Sequence, residues 1–364
     1  MTGFQTPAEP GSREASPALA QSAHQAVDAA RRGDLKSALH IAQHAWQTAR
    51  EQRDDHGILV ATNAASIVHM IRGDSISAVA AAIDTMVLAR RLGDRSLQGH
   101  ALVNLCYAGF DLGTHGDAEA DLRKCIEHAL ADGDGGLEIR ARVALGIVLG
   151  DVQRFELAPA QFRRALELIK DHPGHTPPAC IVANNANLHR KWGAAHLAEG
   201  RETEARMVLI ESVRLATEAF KLALHEEGIP AGIDALGTRA WALELLGERD
   251  KALALLSYAA SLGGATGSRP AMLWVLCELG RIRFLAEDLD GARAAFNRAL
   301  DVASGLRPCA SISVACSGLA EVEAKWGHGT VAEQWKARAI EESADFERWR
   351  RDTRWQLERF LGET

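Results

Sequence analysis

Aromatic residues make up only 5% of this 364-residue chain, with two tyrosines, and cysteine occurs six times. The cysteines (Cys106, Cys125, Cys180, Cys277, Cys309 and Cys316) contain no C-x-x-C pair and no regular framework. That spacing argues against a disulfide scaffold or a structural zinc site, and predicts thiols acting as small hydrophobes in a reducing compartment. No apolar stretch approaches the roughly 18–20 residues that a membrane span needs. There is no excess of positive charge either. A net charge of -7 with a pI near 6.1 excludes a general nucleic-acid binder, which requires a basic footprint. The opening MTGFQTPAEPGSREASP lacks a basic start followed by an apolar core, so it is not a signal peptide and the expected location is cytoplasmic. Its Pro, Ser and Glu content reads as a disordered lead-in over 1–17.

Catalytic signatures are also missing. The phosphate-cradling G-x-x-x-x-G-K-[ST] does not occur, and neither does H-E-x-x-H. His40 and His44 stand at i, i+4 without a third ligand nearby, and read as solvated surface histidines. The stretch DGDGG at 132–136 lacks the closing glutamate of a calcium loop and reads as a connection between helices. No residue set nominates itself for catalysis, and no cofactor or metal is expected.

What the sequence has in abundance is alanine, 65 residues of it, and the alanines recur. A small turn followed five residues later by alanine appears in GDLKSALHIAQHA, GDSISAVAAAIDT, GTHGDAEADLRKC, QRFELAPAQFRRA, GRETEARMVLIES, GERDKALALLSYA, EDLDGARAAFNRA and GHGTVAEQWKARA. The anchors are Ala38, Ala78, Ala118, Ala158, Ala205, Ala252, Ala292 and Ala332, separated by 40, 40, 40, 47, 47, 40 and 40 residues. Self-similarity at a fixed period is the mark of a repeat architecture.

A second column tests that register. Seven positions before each turn stand Ala26, Ser66, Cys106, Gly146, Gly193, Ala240, Gly280 and Ala320, all small. Small residues are needed where two antiparallel helices cross closely. A third column, Ala42, Ala82, Leu122, Phe162, Leu209, Leu256 and Phe296, is apolar until Lys336 breaks it, as a terminal repeat with a wetter face would. Each unit therefore reads as a hairpin. Helix A is predicted over 18–32, 57–72, 97–112, 137–150, 179–199, 230–246, 271–286 and 310–326, with helix B after each turn. Glycine at six of the eight turns supplies a left-handed helix stop, and Asp34, Asp74 and Asp288 are placed to cap the next helix.

The small–turn–Ala–aromatic–Ala skeleton, clearest in VALGIVLGDVQRFELAPAQFRRALELI and WVLCELGRIRFLAEDLDGARAAFNRALDVA, resembles the tetratricopeptide repeat (TPR) superfamily, in its long-repeat bacterial signalling type. The period is 40 rather than the family's 34, and the family's early tryptophan and late proline are mostly missing. The resemblance implies an all-α, right-handed α-solenoid of about eight hairpins over 18–340, followed by a C-terminal capping or interaction helix over 341–364. The two 47-residue intervals contain DHPGHTPP (171–178) and HEEGIPAG (225–232), read as a change of superhelical pitch rather than domain joints.

Stacked hairpins leave a concave groove lined by the A helices, and function is expected there. The repeat register projects Asn63, His100, Asn104, Arg140, Asn187, Arg190, Lys191, Trp241 and Trp274 into it, together with Val60, Ile67, Val103, Tyr107, Asp234 and Arg281. Asn63 and Asn104 can hydrogen-bond an extended peptide backbone. Arg140, Arg190 and Lys191 suit an acidic segment or a free carboxylate, and the tryptophans offer flat apolar anchors. The resemblance implies a further comparison. In TPR proteins that clamp a terminal carboxylate, Asn and basic residues occupy such slots, which Asn104 and Arg140 match and Ile67 and Ala144 do not. The expected function is a non-catalytic scaffold for a protein or peptide segment, with no nucleic-acid or membrane partner. The alternative is a peptide- or ligand-gated receptor or regulatory subunit. Because too few residues follow 340 for an output domain, it would act in trans on an output protein. The near-heptad spacing of Phe346, Trp349, Thr353, Gln356 and Phe360 allows a homodimer through the C-terminal helix.

Overall fold

A computed structural model describes residues 15–112, 118–174, 176–226, 228–263, 269–304 and 310–362. Gly113, Cys309 and the lead-in through residue 14 lie outside the described residues, as do the side chains from 353 onward. Sixteen α-helices and one short 3-10 turn follow one another, with no strand among the described residues. In chain order they are α1 (Pro17–Arg31), α2 (Leu35–Gln52), α3 (Asp55–Arg72), α4 (Ser75–Leu92), α5 (Arg95–Leu112), α6 (Ala118–Asp132), α7 (Gly135–Asp151) and, after the turn Phe155–Leu157, α8 (Ala158–Leu168). They continue with α9 (Pro178–Ala198), α10 (Glu202–His225), α11 (Ile229–Leu245), α12 (Arg249–Gly263), α13 (Arg269–Leu285), α14 (Leu289–Ala303), α15 (Ala310–Lys325) and α16 (Gly329–Gly362). Each predicted A helix coincides with an odd-numbered helix to within about two residues at either end. Each helix packs on its predecessor, and successive A helices also touch, so the chain stacks into a helical solenoid.

The three sequence columns meet at the helix crossings. All eight anchor alanines are buried. The small column faces the apolar column directly. A methyl group added at Gly146 would lie 2.7 Å from the Phe162 ring, at Gly193 2.5 Å from Leu209, and at Gly280 2.6 Å from Phe296. In the second repeat Ser66 takes the small position and donates its hydroxyl to the Ala78 carbonyl at 3.0 Å. The seven apolar residues of the third column are at most 3% exposed, whereas Lys336 is exposed and pairs with Glu333 at 2.7 Å.

Turn chemistry fixes the ends. Gly33, Gly73, Gly200, Gly247 and Gly327 adopt positive φ, and Gln153 and Glu287 take the same left-handed conformation at φ 61° where the repeat lacks glycine. Asp34, Asp74 and Asp288 cap the following helices, accepting from the backbone of Ser37, Ser77 and Gly291. Asp54, Asp94 and Asp134 do the same between hairpins, which settles the DGDGG stretch as a helix stop and cap. A left-handed non-glycine residue costs about 1 kcal/mol relative to glycine. Gln153→Gly is therefore expected to stabilise the fold by about 1 kcal/mol in urea unfolding followed by circular dichroism. An unchanged or lowered midpoint would contradict that assignment of strain.

The extra residues of the two long intervals go into longer helices and one longer connection. α9 has 21 residues and α10 has 24, against 15 to 18 in the helices of the first three repeats. The segment between α8 and α9 carries the rest. It touches the first helix, where Arg31 donates a guanidinium N–H to the Gly174 carbonyl at 3.0 Å across 143 residues of sequence. The far end also returns. Trp349 on α16 packs with Val79, Ala82 and Ile83 of α4 and Leu105 of α5, and the Phe346 ring stacks on it at 5.7 Å. Part of the seam expected to serve dimerisation is thus covered within one chain.

Candidate functional site: a cavity across the superhelix

The concave side holds a cavity of about 890 Å³, within the roughly 300–1,000 Å³ typical of ligand pockets. Its walls come from distant parts of the chain. α1 supplies His24, Asp28 and Arg31 with Arg32 just after its end, and α9 supplies Cys180, Asn184, Asn187 and Arg190. α11 contributes Asp234, Thr238 and Trp241 at spacings of four and three residues, one face of a helix. Trp274 of α13 closes the far side. Both breaks in the repeat period line the same cavity: Gly174, Thr176, Pro177 and Pro178 from the first, Glu226, Gly228, Pro230 and Ala231 from the second.

Four of the nine predicted groove residues meet here. Arg190 donates its Nε–H to Asn187 at 3.0 Å and lies 3.8 Å over the Trp241 ring, a cation–π contact of order 0.5–2 kcal/mol. Trp241 and Trp274 are 5.9 Å apart, tilted by 39°. Trp274 is seated against a bare backbone: a methyl group at Gly237 would fall 1.9 Å from its ring. Burial pulls the Arg190 guanidinium down to about 10, against the opposing charge of Glu278, so it stays cationic at neutral pH.

The other predicted residues form a different structure. Asn104 on α5 is fully buried; its amide N–H donates to Asn63 of α3 at 3.0 Å and its oxygen accepts from Arg140 of α7. A second N–H of Arg140 is 2.7 Å from His100 Nδ1. Both amide groups of Asn104 are therefore engaged inside the chain, and the four side chains brace three successive A helices. Burial lowers the Arg140 guanidinium to about 10, with Tyr107 opposing the shift and Arg31 reinforcing it.

The basic trio expected as one cluster is split. Lys191 is turned away from Arg190 by one helical step and pairs with Asp151 at the end of α7. Arg140 belongs to the brace, and Arg190 alone lines the cavity. Val103 and Ala144 are core residues rather than groove residues, and Val60 and Ile67 pack against α1. Arg281 pairs with Glu278 on its own helix.

Sequence reasoning missed the contribution of α1 and of the insertions. The broken period was a signal for the insertions, since 47 residues where 40 suffice mark segments that the repeat itself does not need. Nothing local marked α1, because only the closing of the superhelix brings it opposite α9. Asp234 was projected into the groove without a role. It is open to solvent yet surrounded by cavity wall, and that confinement pushes its carboxyl up to about 7. No group of three His, Cys, Asp or Glu residues among the described residues is arranged to hold a metal ion, and no helix among them is long and apolar enough to cross a membrane.

No family model matches the chain, and no curated protein matches it. Solved structures do. The Rap conjugation gene regulator of plasmid pLS20, in complex with the Phr* peptide, aligns over 91% of this chain and 96% of its own, with a TM-score of 0.56 at 13% identity. A Rap protein complexed with Competence and Sporulation Factor aligns over 91% and 99%, with 0.51 at 11%. BtubC from P. vanneervenii covers 64% of this chain and 91% of its own, with 0.52 at 19%. At these identities the likeness is one of fold, and it agrees with the repeat columns, the left-handed turns and the crossing geometry: the chain is a TPR-like helical-repeat solenoid.

Proposed function

We propose that this protein is a non-catalytic binding protein that takes a peptide segment into the cavity between α1, α9, α11 and α13. The observation that carries the reading is the cavity itself. It combines two aromatic anchors, side-chain amides at Asn184 and Asn187, and a guanidinium held in place by Trp241, the mixture of apolar floor and few polar groups that orients a ligand. Arg190, with the exposed Arg32 at the end of α1, supports a peptide that brings an acidic side chain or a free carboxylate. Two of the similar folds are complexed with a peptide or factor. The walls belong to repeats far apart in sequence, so occupancy bears directly on how the superhelix closes. That supports a regulatory subunit over a passive scaffold. A cytoplasmic location fits the reading.

The test is selection of short peptides from a displayed random library, with wild-type protein and with Arg190→Glu. Wild type is expected to enrich defined sequences, and the variant to lose them while keeping its helical circular dichroism. Enrichment of the same sequences by both, or by neither, would sink the reading. Small-angle scattering with a selected peptide should show a changed envelope; an unchanged one leaves the passive scaffold.

A further inference from the structure

The cavity contains cations and carboxylates, and apart from the exposed Arg32 those of the α1 and α9 walls, Asp28 included, are engaged. Arg31 donates to the Gly174 carbonyl and lies 3.5 Å from Asp28, which also faces His24 at 3.3 Å. Arg190 is held by Asn187 and by the Trp241 face. The carboxylates of the opposite wall have no such partners. Asp234 on α11 makes no hydrogen bond or ion pair among the described residues. Glu226, at the α10–α11 connection, accepts from the Ala179 amide through one oxygen, while its buried Oε2 has no partner.

The two carboxylates share a neighbourhood, since both lie within electrostatic reach of the Cys180 thiol. The surrounding protein wall raises both of them, for Glu226 against the lowering effect of His225, which is the response of carboxyl groups in a confined site with too little compensating positive charge. Structure alone gains nothing from this arrangement. The buried Oε2 of Glu226 carries a desolvation penalty that no partner offsets, and an alanine or asparagine at 234 would preserve the helix face. A cation delivered from outside would turn the cost into a charge-assisted pair. Trp241 and Trp274, within the same cavity, offer ring faces and edges of the kind that already hold the Arg190 guanidinium.

We infer that the Asp234–Glu226 wall of the cavity is a subsite for a positively charged group of the ligand, an ammonium or a guanidinium. This rests on the peptide-binding reading above and adds a second pole to it: carboxylate toward Arg190 and Arg32, cation toward Asp234. The cation has two sources in a peptide, the free N-terminus and a Lys or Arg side chain.

The probes that test it are pooled short-peptide libraries with one position fixed as Lys, Arg, Ala or Glu, each with a free or an acetylated N-terminus. Binding is read from tryptophan fluorescence on the full chain. Wild type should bind the best Lys, Arg or free-amine pool about 10-fold or more tightly than its Ala or acetylated counterpart. Asp234→Asn and Glu226→Gln should each remove most of that increment, read within each variant as the ratio of basic-pool to Ala-pool affinity. Asp234→Lys should move the preference to Glu pools. Loss of the increment on acetylation alone assigns the subsite to the N-terminus; loss only on Lys or Arg replacement assigns it to a side chain. Equal binding of basic and Ala pools by wild type, or an increment retained in Asp234→Asn, overturns the subsite while peptide binding stands. Absence of binding by every pool overturns both.

Discussion

Replacing Phe296 by alanine is expected to lower the unfolding free energy by about 3–5 kcal/mol, the usual cost of deleting a buried aromatic ring. The ring is 3% exposed and wedged between two backbones. A methyl group at Gly280 of its own repeat would lie 2.6 Å from it, and one at Gly318 of the next repeat 2.2 Å. One side chain therefore fixes the distance both within a hairpin and between hairpins, so its loss loosens two interfaces. The glycines provide an internal check. Gly318→Ala should cost about 1–3 kcal/mol by overpacking in the wild-type background, and close to nothing once Phe296 is alanine, because the cavity then accepts the methyl. Urea unfolding of the four proteins of that cycle decides the matter. An additive cycle would mean that the ring and the glycine do not meet.

Trp274→Ala is expected to weaken a peptide selected by the wild-type cavity by roughly 30-fold to 1,000-fold, the range of aromatic hot spots at about 2–4 kcal/mol. The side chain is partly buried against the core that joins α11 to α15, so its removal also lowers stability. Gly237→Ala separates the two effects. The added methyl would collide with the Trp274 ring at 1.9 Å, which forces the ring out of its seat without deleting it. Both variants should lose affinity by titration calorimetry at a temperature where circular dichroism shows them folded. Full affinity in Gly237→Ala would show that the seat of Trp274 does not position the floor of the site.

The repeat was legible because each hairpin poses the same local problem. Two helices that cross closely need a small residue opposite a large one, and a chain that reverses needs a left-handed residue; both requirements recur every 40 residues. Helix boundaries followed from the same columns. Even the exceptions were consistent, since Gln153 and Glu287 adopt the turn conformation that glycine takes elsewhere. The groove residues were less legible. Arg190 and Lys191 are adjacent in sequence but 100° apart on a helix, so only one reaches the cavity. Asn104 and Arg140 stand on the inner helices as projected, but they lie a hydrogen bond apart across the repeat stack and engage each other.

The alanine excess and the scarcity of aromatics had a common origin that the sequence by itself determined: an all-α stack whose crossings tolerate little bulk, with the Phe162 and Phe296 rings each set against a glycine. Which side chains face one another across the cavity was decided only by the tertiary structure. A repeat period describes neighbours at one step along the stack, whereas α1 meets the 171–178 segment through the summed small rotations of all the repeats between them. No pairwise pattern encodes that sum. The two 47-residue intervals are where the sequence came closest to revealing it, since they carry into the cavity the residues that a regular solenoid would have no use for.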